Sequence, residues 1–339
     1  MKRRLLTTVG LMLWTLVFAV CSMAQSVTIP NNTAGGLWDA LEAQSITDFT
    51  TVKNLTVTGE MNNTDFLLIK NQMTNLETLD ISGTNVTEIP SMAFSGRENL
   101  KTVRLPEGII YLKENVFSSC QKLDVVTFGN QTAIEGKIVF PAKLRRIESN
   151  AFSNCTLLTH LDFTACTALE YLGSYAFQSL NNLKEVLLPS KGNLQIEYEC
   201  FNVYDTWDES TQQYIYKGLE SITITKAVRY LGGGCLPRSL KTMYVETATP
   251  PSCSNFIYDT NSLTTIYIPK GSKRNYAVAD GWSNFYGKMQ EMGFQVNISG
   301  FGSLQMGGQT YSNRDVFFNI SGSAATVKAV PIKGKTFAK

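Results

Sequence analysis

The amino-acid sequence predicts a β-rich repeat solenoid followed by a small all-β module, and three observations carry the prediction. A skeleton of an aliphatic residue, three variable ones, a small residue and then Phe recurs at Ile89–Phe94, Leu112–Phe117, Ile147–Phe152, Leu172–Phe177 and Ile196–Phe201, and closes on Leu at Leu231–Leu236. A second skeleton, Leu-x-x-apolar-x-apolar, interleaves with the first. From Phe294 onward both stop and a texture of strands and turns replaces them.

Residues 1–24 read as a cleaved signal peptide rather than as fold. Lys2, Arg3 and Arg4 form a basic start, Leu11–Val20 is continuously apolar, and Ser22-Met23-Ala24 places small residues before an expected cut after Ala24. Cys21 follows Val20 where a lipoprotein signal requires a small residue, so a lipid anchor is the weaker reading. The mature chain is therefore expected to be exported, to the periplasm, the cell surface or the medium. Removing three basic residues turns 30 basic against 28 acidic residues into 27 against 28. That near-neutral balance, without a basic patch interleaved with aromatics, argues against a nucleic-acid partner.

Residues 25–75 read as an entry segment. Leu37-Trp38-Asp39-Ala40-Leu41 and Asp65-Phe66-Leu67-Leu68-Ile69 have the spacing of short amphipathic helices, suited to covering the apolar end of a stack. The solenoid is expected over 76–291. Its second skeleton is Leu76-Leu79-Ile81, Leu100-Val103-Leu105, Leu123-Val126-Phe128, Leu158-Leu161-Phe163, Leu183-Val186-Leu188, Leu219-Ile222-Ile224, Leu240-Met243-Val245 and Leu263-Ile266-Ile268. The leading leucines are 24, 23, 35, 25, 36, 21 and 23 residues apart. A unit of about 23 residues falls within the leucine-rich-repeat range, and the two long steps read as insertions at Gly129–Ile138 and Asn202–Gly218. One such unit cannot bury its apolar face alone; stacked units make a continuous core. The last two apolar residues of each copy are two apart and share the inner side of a strand. Phe152 and its equivalents would form an aromatic spine, Ala151 would be small at a close approach, and Ser153-Asn154 would turn the chain. Tyr276–Trp282 would cap the far end. In 294–339, Gln295–Ser299 alternates and Val316-Phe317-Phe318 follows glycine-rich punctuation; a strand is under way where the sequence stops at Lys339, which leaves the completeness of this module open.

These residues resemble the BspA-like family of leucine-rich-repeat proteins, exported by anaerobic gut and oral bacteria. The family unit, I-x-x-x-A-F-x-x-C-x-x-L-x-x-[IV]-x-[LI]-P, matches Ile147–Phe163 through Ala151, Phe152, Cys155 and Leu158, and matches Leu112–Phe128 with Cys120. Val116 in place of Ala, Leu180 in place of Cys and the degenerate sixth copy depart from it. Leu55–Phe66 with Leu79–Gly83, and Ile268–Trp282, resemble the family's entry and exit segments, so the likeness covers about 34–291. It implies a leucine-rich-repeat fold and adhesion to host matrix or cell-surface proteins.

Chemistry has little to work with. The single histidine, His160, stands two before Asp162 on a strand, and no third group completes a base and its orienting carboxylate; an exposed polar pair is the expectation, and no enzyme is expected. Cys120, Cys155, Cys166, Cys200, Cys235 and Cys253 include no C-x-x-C pair, so no metal is expected. Cys120 and Cys155 share a repeat position and would stack about 5 Å apart between adjacent strands, either as a buried reduced ladder, the favoured reading, or as a disulfide. Gly232-Gly233-Gly234 lacks the Lys-Ser/Thr of a phosphate loop and reads as a tight turn. Asp205, Asp208 and Glu209 lack a calcium-loop pattern and read as a solvated hairpin tip. No cofactor is expected.

Surface remains. The outward strand positions form a row: Thr102 and Arg104, Val125 and Thr127, His160 and Asp162, Glu185 and Leu187, Ser221 and Thr223, Thr242 and Tyr244, Thr265 and Tyr267. Within it, Arg104, Val125, His160, Asp162, Glu185, Leu187, Tyr244 and Tyr267 make the candidate partner-binding face, since aromatic and Arg side chains on a rigid surface most often anchor partners. Tyr204, Trp207, Tyr214 and Tyr216 in the second insertion make another candidate patch. A protein ligand bound through the repeat face is the leading expectation. The alternative is a glycan-binding component of a bacterial surface carbohydrate system, suggested by Trp207 and the tyrosines.

Overall fold

The two-residue alternation of the second skeleton becomes one short parallel strand per repeat in the computed structural model, which describes residues 25–31, 33–258, 260–292, 294–297, 302–306, 309–312, 315–318 and 328–331. The signal-peptide reading lies outside the described residues. Ladder one runs in three hydrogen-bonded blocks. The first holds Gln25–Asn31, Val52–Gly59, Thr78–Thr84, Thr102–Leu105 and Val125–Phe128. The second holds Lys137–Val139, His160–Asp162 and Glu185–Leu187. The third holds Ser221–Ile224, Thr242–Val245, Thr265–Ile268 and Met289–Glu291. The two breaks between blocks coincide with the two insertions.

The first insertion carries a rung of its own. Its end, Lys137 and Ile138, continues through Val139 as a strand paired with His160–Asp162. Ile138 and Phe140 are fully buried, and the Phe140 ring stacks on Phe163 at 4.3 Å. The sequence signal is Ile138-Val139-Phe140-Pro141, an apolar-x-apolar-Pro ending shared with Val103–Pro106, Val186–Pro189 and Ile266–Pro269 but lacking the leading Leu.

The first skeleton builds two further ladders. Its aliphatic residue closes a strand of ladder two, a seven-stranded parallel sheet of Glu88–Ile89, Tyr111–Leu112, Arg146–Ile147, Tyr171–Leu172, Leu194–Ile196, Val228–Leu231 and Ser252–Cys253. Its small-Phe pair forms a turn that hydrogen-bonds to the next repeat: Phe94 N to Val116 O, Phe117 N to Ala151 O, Phe152 N to Ala176 O, Phe177 N to Cys200 O and Phe201 N to Cys235 O, all at 2.8 or 2.9 Å. The geometry demands left-handed backbone immediately before the small residue, at Met92, Asn115, Asn150, Tyr175, Glu199 and Gly234, and two residues after the Phe, at Gly96, Ser119, Asn154 and Ser179. Left-handed backbone costs a non-glycine residue about 1–2 kcal/mol; the inter-repeat hydrogen bonds offset it.

The spine is as expected. Phe94, Phe117, Phe152, Phe177 and Phe201 are fully buried and stack with centroids 5.3, 5.2, 5.5 and 5.4 Å apart. Ala151 and its equivalents are buried beside it. The six cysteines among the described residues are free thiols. Cys120 and Cys155 sit in the turns and not, as expected, between strands; each thiol donates to the Phe carbonyl one repeat back, Cys120 to Phe94 at 3.0 Å and Cys155 to Phe117 at 3.1 Å. Burial pushes the Cys120 and Cys166 thiols up to about 12 and holds Cys155, Cys200 and Cys235 well above the usual range.

At the entry, helices α1 (Leu37–Ala43) and α2 (Asn63–Gln72) stand where later repeats place ladder two. The fully buried Asp65 accepts from Gly35 N, Leu37 N and Asn62 N at 2.8, 3.0 and 2.8 Å, tying the two helix starts together. Arg97, from the first full repeat, reaches back to cap the C-terminus of α2, donating to Met73 O at 2.8 Å, Ile69 O at 2.7 Å and Lys70 O. At the exit, Tyr276 and Trp282 are fully buried; Tyr276 Oη donates to Thr247 O at 2.7 Å and Trp282 Nε1 to Pro251 O at 2.8 Å. Beyond them Phe294–Asn297 pairs antiparallel with Asp315–Phe318, and Gly302–Met306 lies between Gln309–Ser312 and Lys328–Pro331, also antiparallel.

Candidate functional site

Ladder one presents two outward columns set by strand register. Thr78, Thr102 and Val125 follow one another in the first column, and Asp80, Arg104 and Thr127 in the second. Lys137, His160 and Glu185 continue the first, with Val139, Asp162 and Leu187 beside them. Ser221, Thr242 and Thr265 follow, with Thr223, Tyr244, Tyr267 and Gln290 in the second column. All eight candidate residues are partly exposed. Thr127, expected to be outward, is buried at 4% exposure and lines a cavity with Gln131, Thr132 and Ile134 of the first insertion.

The structure brings the candidates together in two groups. His160, Asp162, Glu185 and Leu187 are register neighbours. Tyr244 and Tyr267 stack with centroids 5.0 Å apart and planes within 16°. Arg104 and Val125 belong to the first block; from the Arg104 strand to the Tyr267 strand there are seven steps of about 4.8 Å, roughly 34 Å, so the eight residues do not form one small-molecule site. Arg104 has an acidic neighbour that the sequence reading missed, Asp80, at 3.9 Å. The signal for it was available, since Asp80 stands between Leu79 and Ile81 in the first copy of the second skeleton.

His160 and Asp162 each turn elsewhere. His160 Nδ1 lies 2.7 Å from Thr159 Oγ1. Asp162 Oδ1 accepts from Thr164 N and Oγ1 at 3.0 and 2.7 Å, and its other oxygen lies 3.7 Å from Lys137 Nζ.

The second insertion is a two-stranded antiparallel hairpin, Thr206–Asp208 with Gln213–Ile215. Asp208 stabilises its turn, accepting from Ser210 N and Oγ and from Thr211 Oγ1, and these hydrogen bonds hold its carboxyl below the usual range. Asp205 pairs with Arg238 at the base. Trp207 and Tyr214 are opposite each other, edge to face at 5.0 Å, with exposures of 49% and 57%. Tyr204 is exposed and Tyr216 only partly so. Among the described residues no three His, Cys, Asp or Glu side chains group as metal ligands, and no helix is long and apolar enough to cross a membrane.

The unit measured in these ladders is also the one that a family model recognises: the BspA type leucine-rich repeat region matches residues 17–137 and 127–218 in six copies. The chain belongs to this family. Solved bacterial leucine-rich-repeat proteins are similar to it at low identity and low TM-score. The pneumococcal vaccine antigen PcpA is 16% identical over 71% of this chain and 64% of its own, with a TM-score of 0.34. The Treponema pallidum leucine-rich-repeat protein is 20% identical, TM-score 0.29; the match covers 49% of this chain and about half, 55%, of that one. A leucine-rich cell surface protein of Faecalibacterium prausnitzii is 15% identical over 74% of this chain and 76% of its own, with a TM-score of 0.26. No curated protein matches the sequence.

Proposed function

We propose that this chain is an exported, non-enzymatic recognition protein that binds another protein, a host matrix or cell-surface protein, through the outward face of ladder one. The observation that carries this is the Tyr244–Tyr267 stack, two partly exposed rings held parallel at 5.0 Å on neighbouring strands. Such a pair loses little side-chain entropy on binding, because the sheet has already ordered it, and tyrosine is a residue in which interface energy concentrates. The length of the face supports a protein over a small ligand: partly exposed positions run along blocks of five, three and four strands, a span of roughly 50 Å at about 4.8 Å per step. Export rests on the signal peptide, with cleavage after Ala24, and its test is the N-terminal sequence of the secreted protein. The organisation that goes with this reading is an entry segment over 25–75, a capped solenoid over 76–291 and a β module over 294–339.

A second reading has its own observation. Trp207 and Tyr214, half exposed on a projecting hairpin, offer aromatic faces of the kind that stack on sugar rings, which favours a glycan of a bacterial surface carbohydrate system. Immobilised matrix proteins and a glycan array, probed with the mature chain, separate the two. The first reading expects protein binding that weakens at least about tenfold in Tyr244→Ala with Tyr267→Ala, the scale of a hot-spot loss, and survives Trp207→Ala. Binding that is indifferent to the double substitution would remove the ladder face as the site.

A further inference from the structure

The turns after neighbouring strands of ladder two carry tyrosines that ladder one does not use. Tyr175 and Tyr198 lie edge to face with centroids 5.4 Å apart, and Tyr198 and Tyr258 likewise at 6.3 Å. Tyr198 and Tyr258 are 40% and 39% exposed, and Tyr204 is 65% exposed. Gln178 joins Tyr204 to the group: its Nε2 donates to Tyr204 Oη at 3.2 Å and to Glu199 Oε2 at 2.9 Å.

Glu199 is the unusual member, with only 9% of its surface exposed. Its side-chain hydrogen-bond partners are neutral: the amides of Gln178 and Asn202, the latter at 3.2 Å. None of the ion pairs among the described residues includes it, and Arg238 is committed to Asp205. A buried carboxylate ordinarily has a cationic partner as well as hydrogen bonds. Gly234 makes room for one of the rings. A Cβ there would stand 2.3 Å from the Tyr258 ring. Gly234 thus lets Tyr258 lie against the backbone beside the acidic group.

We infer that this cluster is a binding site for an organic cation, an ammonium or guanidinium head seated on the tyrosine rings with Glu199 as its counter-charge. Ring faces carry negative potential and attract such heads, most strongly where water is thinned. A sugar fits less well, because it carries no positive charge to answer a carboxylate buried among neutral partners. The site is separate from the ladder-one face and does not rest on it.

The test titrates the mature chain with tetramethylammonium, Nα-acetyl-lysine amide and Nα-acetyl-arginine amide, and with uncharged tert-butanol and methyl glucoside, read by saturation-transfer NMR on the ligand protons. The expected result is saturable binding of at least one cation with Kd of about 0.1–10 mM, the tightest of the three naming the source of the head. Glu199→Gln and Tyr198→Leu should each weaken it about tenfold or more. Tyr258→Leu, at the rim, should weaken it too, and serves if the other variants do not fold. The Tyr244→Ala, Tyr267→Ala chain should bind as the parent does. The inference is overturned if no cation saturates, if tert-butanol or methyl glucoside binds as well as the cations, if every folded variant at 198, 199 and 258 binds unchanged, or if the double substitution on ladder one abolishes binding.

Discussion

Replacing Phe152 with Ala tests the spine where its neighbours are best defined. Phe152 is fully buried, with Phe117 stacked on one side at 5.2 Å, Phe177 on the other at 5.5 Å and Phe140 edge-on at 6.1 Å. Truncating a buried Phe to Ala costs about 3–5 kcal/mol, more where the site cannot collapse. Collapse is opposed here because the turns on both sides are pinned, Phe117 N to Ala151 O and Phe152 N to Ala176 O, each at 2.8 Å. Two stacked partners add about 0.5–1.5 kcal/mol each beyond area burial. The expected loss is therefore at the upper end, about 4–5 kcal/mol. Phe152→Leu keeps most of the volume and loses the ring contacts, so about 1–2 kcal/mol is expected. Urea unfolding of the mature chain at equilibrium, followed by circular dichroism, measures both. Because each repeat contacts only its neighbours, hydrogen exchange should also show faster opening of the units around 117 and 177 than of α1 and α2. A Phe152→Ala loss below about 2 kcal/mol, or one equal to that of Phe152→Leu, would refute the pinned-spine reasoning.

Other predictions follow from single contacts. Arg97→Met should destabilise by about 2–3 kcal/mol, with faster amide exchange confined to α2, because three carbonyls lose their donor; unchanged protection of α2 would contradict the cap. Met92 holds a left-handed φ of 59° at an exposed site, so Met92→Gly should raise stability by about 0.5–1 kcal/mol. Gly173→Ala should do the reverse by about 3 kcal/mol, because its Cβ would stand 2.6 Å from backbone atoms of Glu148 and Ser149; a melting curve for each variant reads both signs. The thiols supply a pH test. Their folded pKa values lie above the ordinary value of 9.0, at about 12 for Cys120 and Cys166 and about 11 for Cys253. The unfolded chain therefore releases protons first, so stability is full below about pH 9 and falls as pH rises toward the folded values. At pH 8 the five buried thiols, Cys120, Cys155, Cys166, Cys200 and Cys235, should resist thiol-specific reagents that label them in urea; rapid labelling of these five in the native chain would contradict the burial.

The spine, the repeat length, the outward row of ladder one and the projecting second insertion were legible in the residues. Strand alternation has a period of two, and Leu79, Val103 and Val126 reveal by their own spacing which side is buried. Whatever depends on pairing between repeats was not legible. The seven-stranded second ladder and the hydrogen-bonded turn ladder join residues such as Phe117 and Ala151, 34 positions apart, and their left-handed positions are occupied by Met, Asn, Tyr, Glu and Gly with no common side chain. Only stacking pairs Lys137–Val139 with His160–Asp162 as a rung and buries Thr127. Likewise Arg97 and α2, or Tyr175, Tyr198 and Tyr258, meet because consecutive turns of the solenoid place them side by side. By itself the sequence determined what each repeat buries. The tertiary structure decided which exposed residues stand together, because that depends on the registration of one coil upon the next, a property of pairs of repeats that the period within one repeat does not contain.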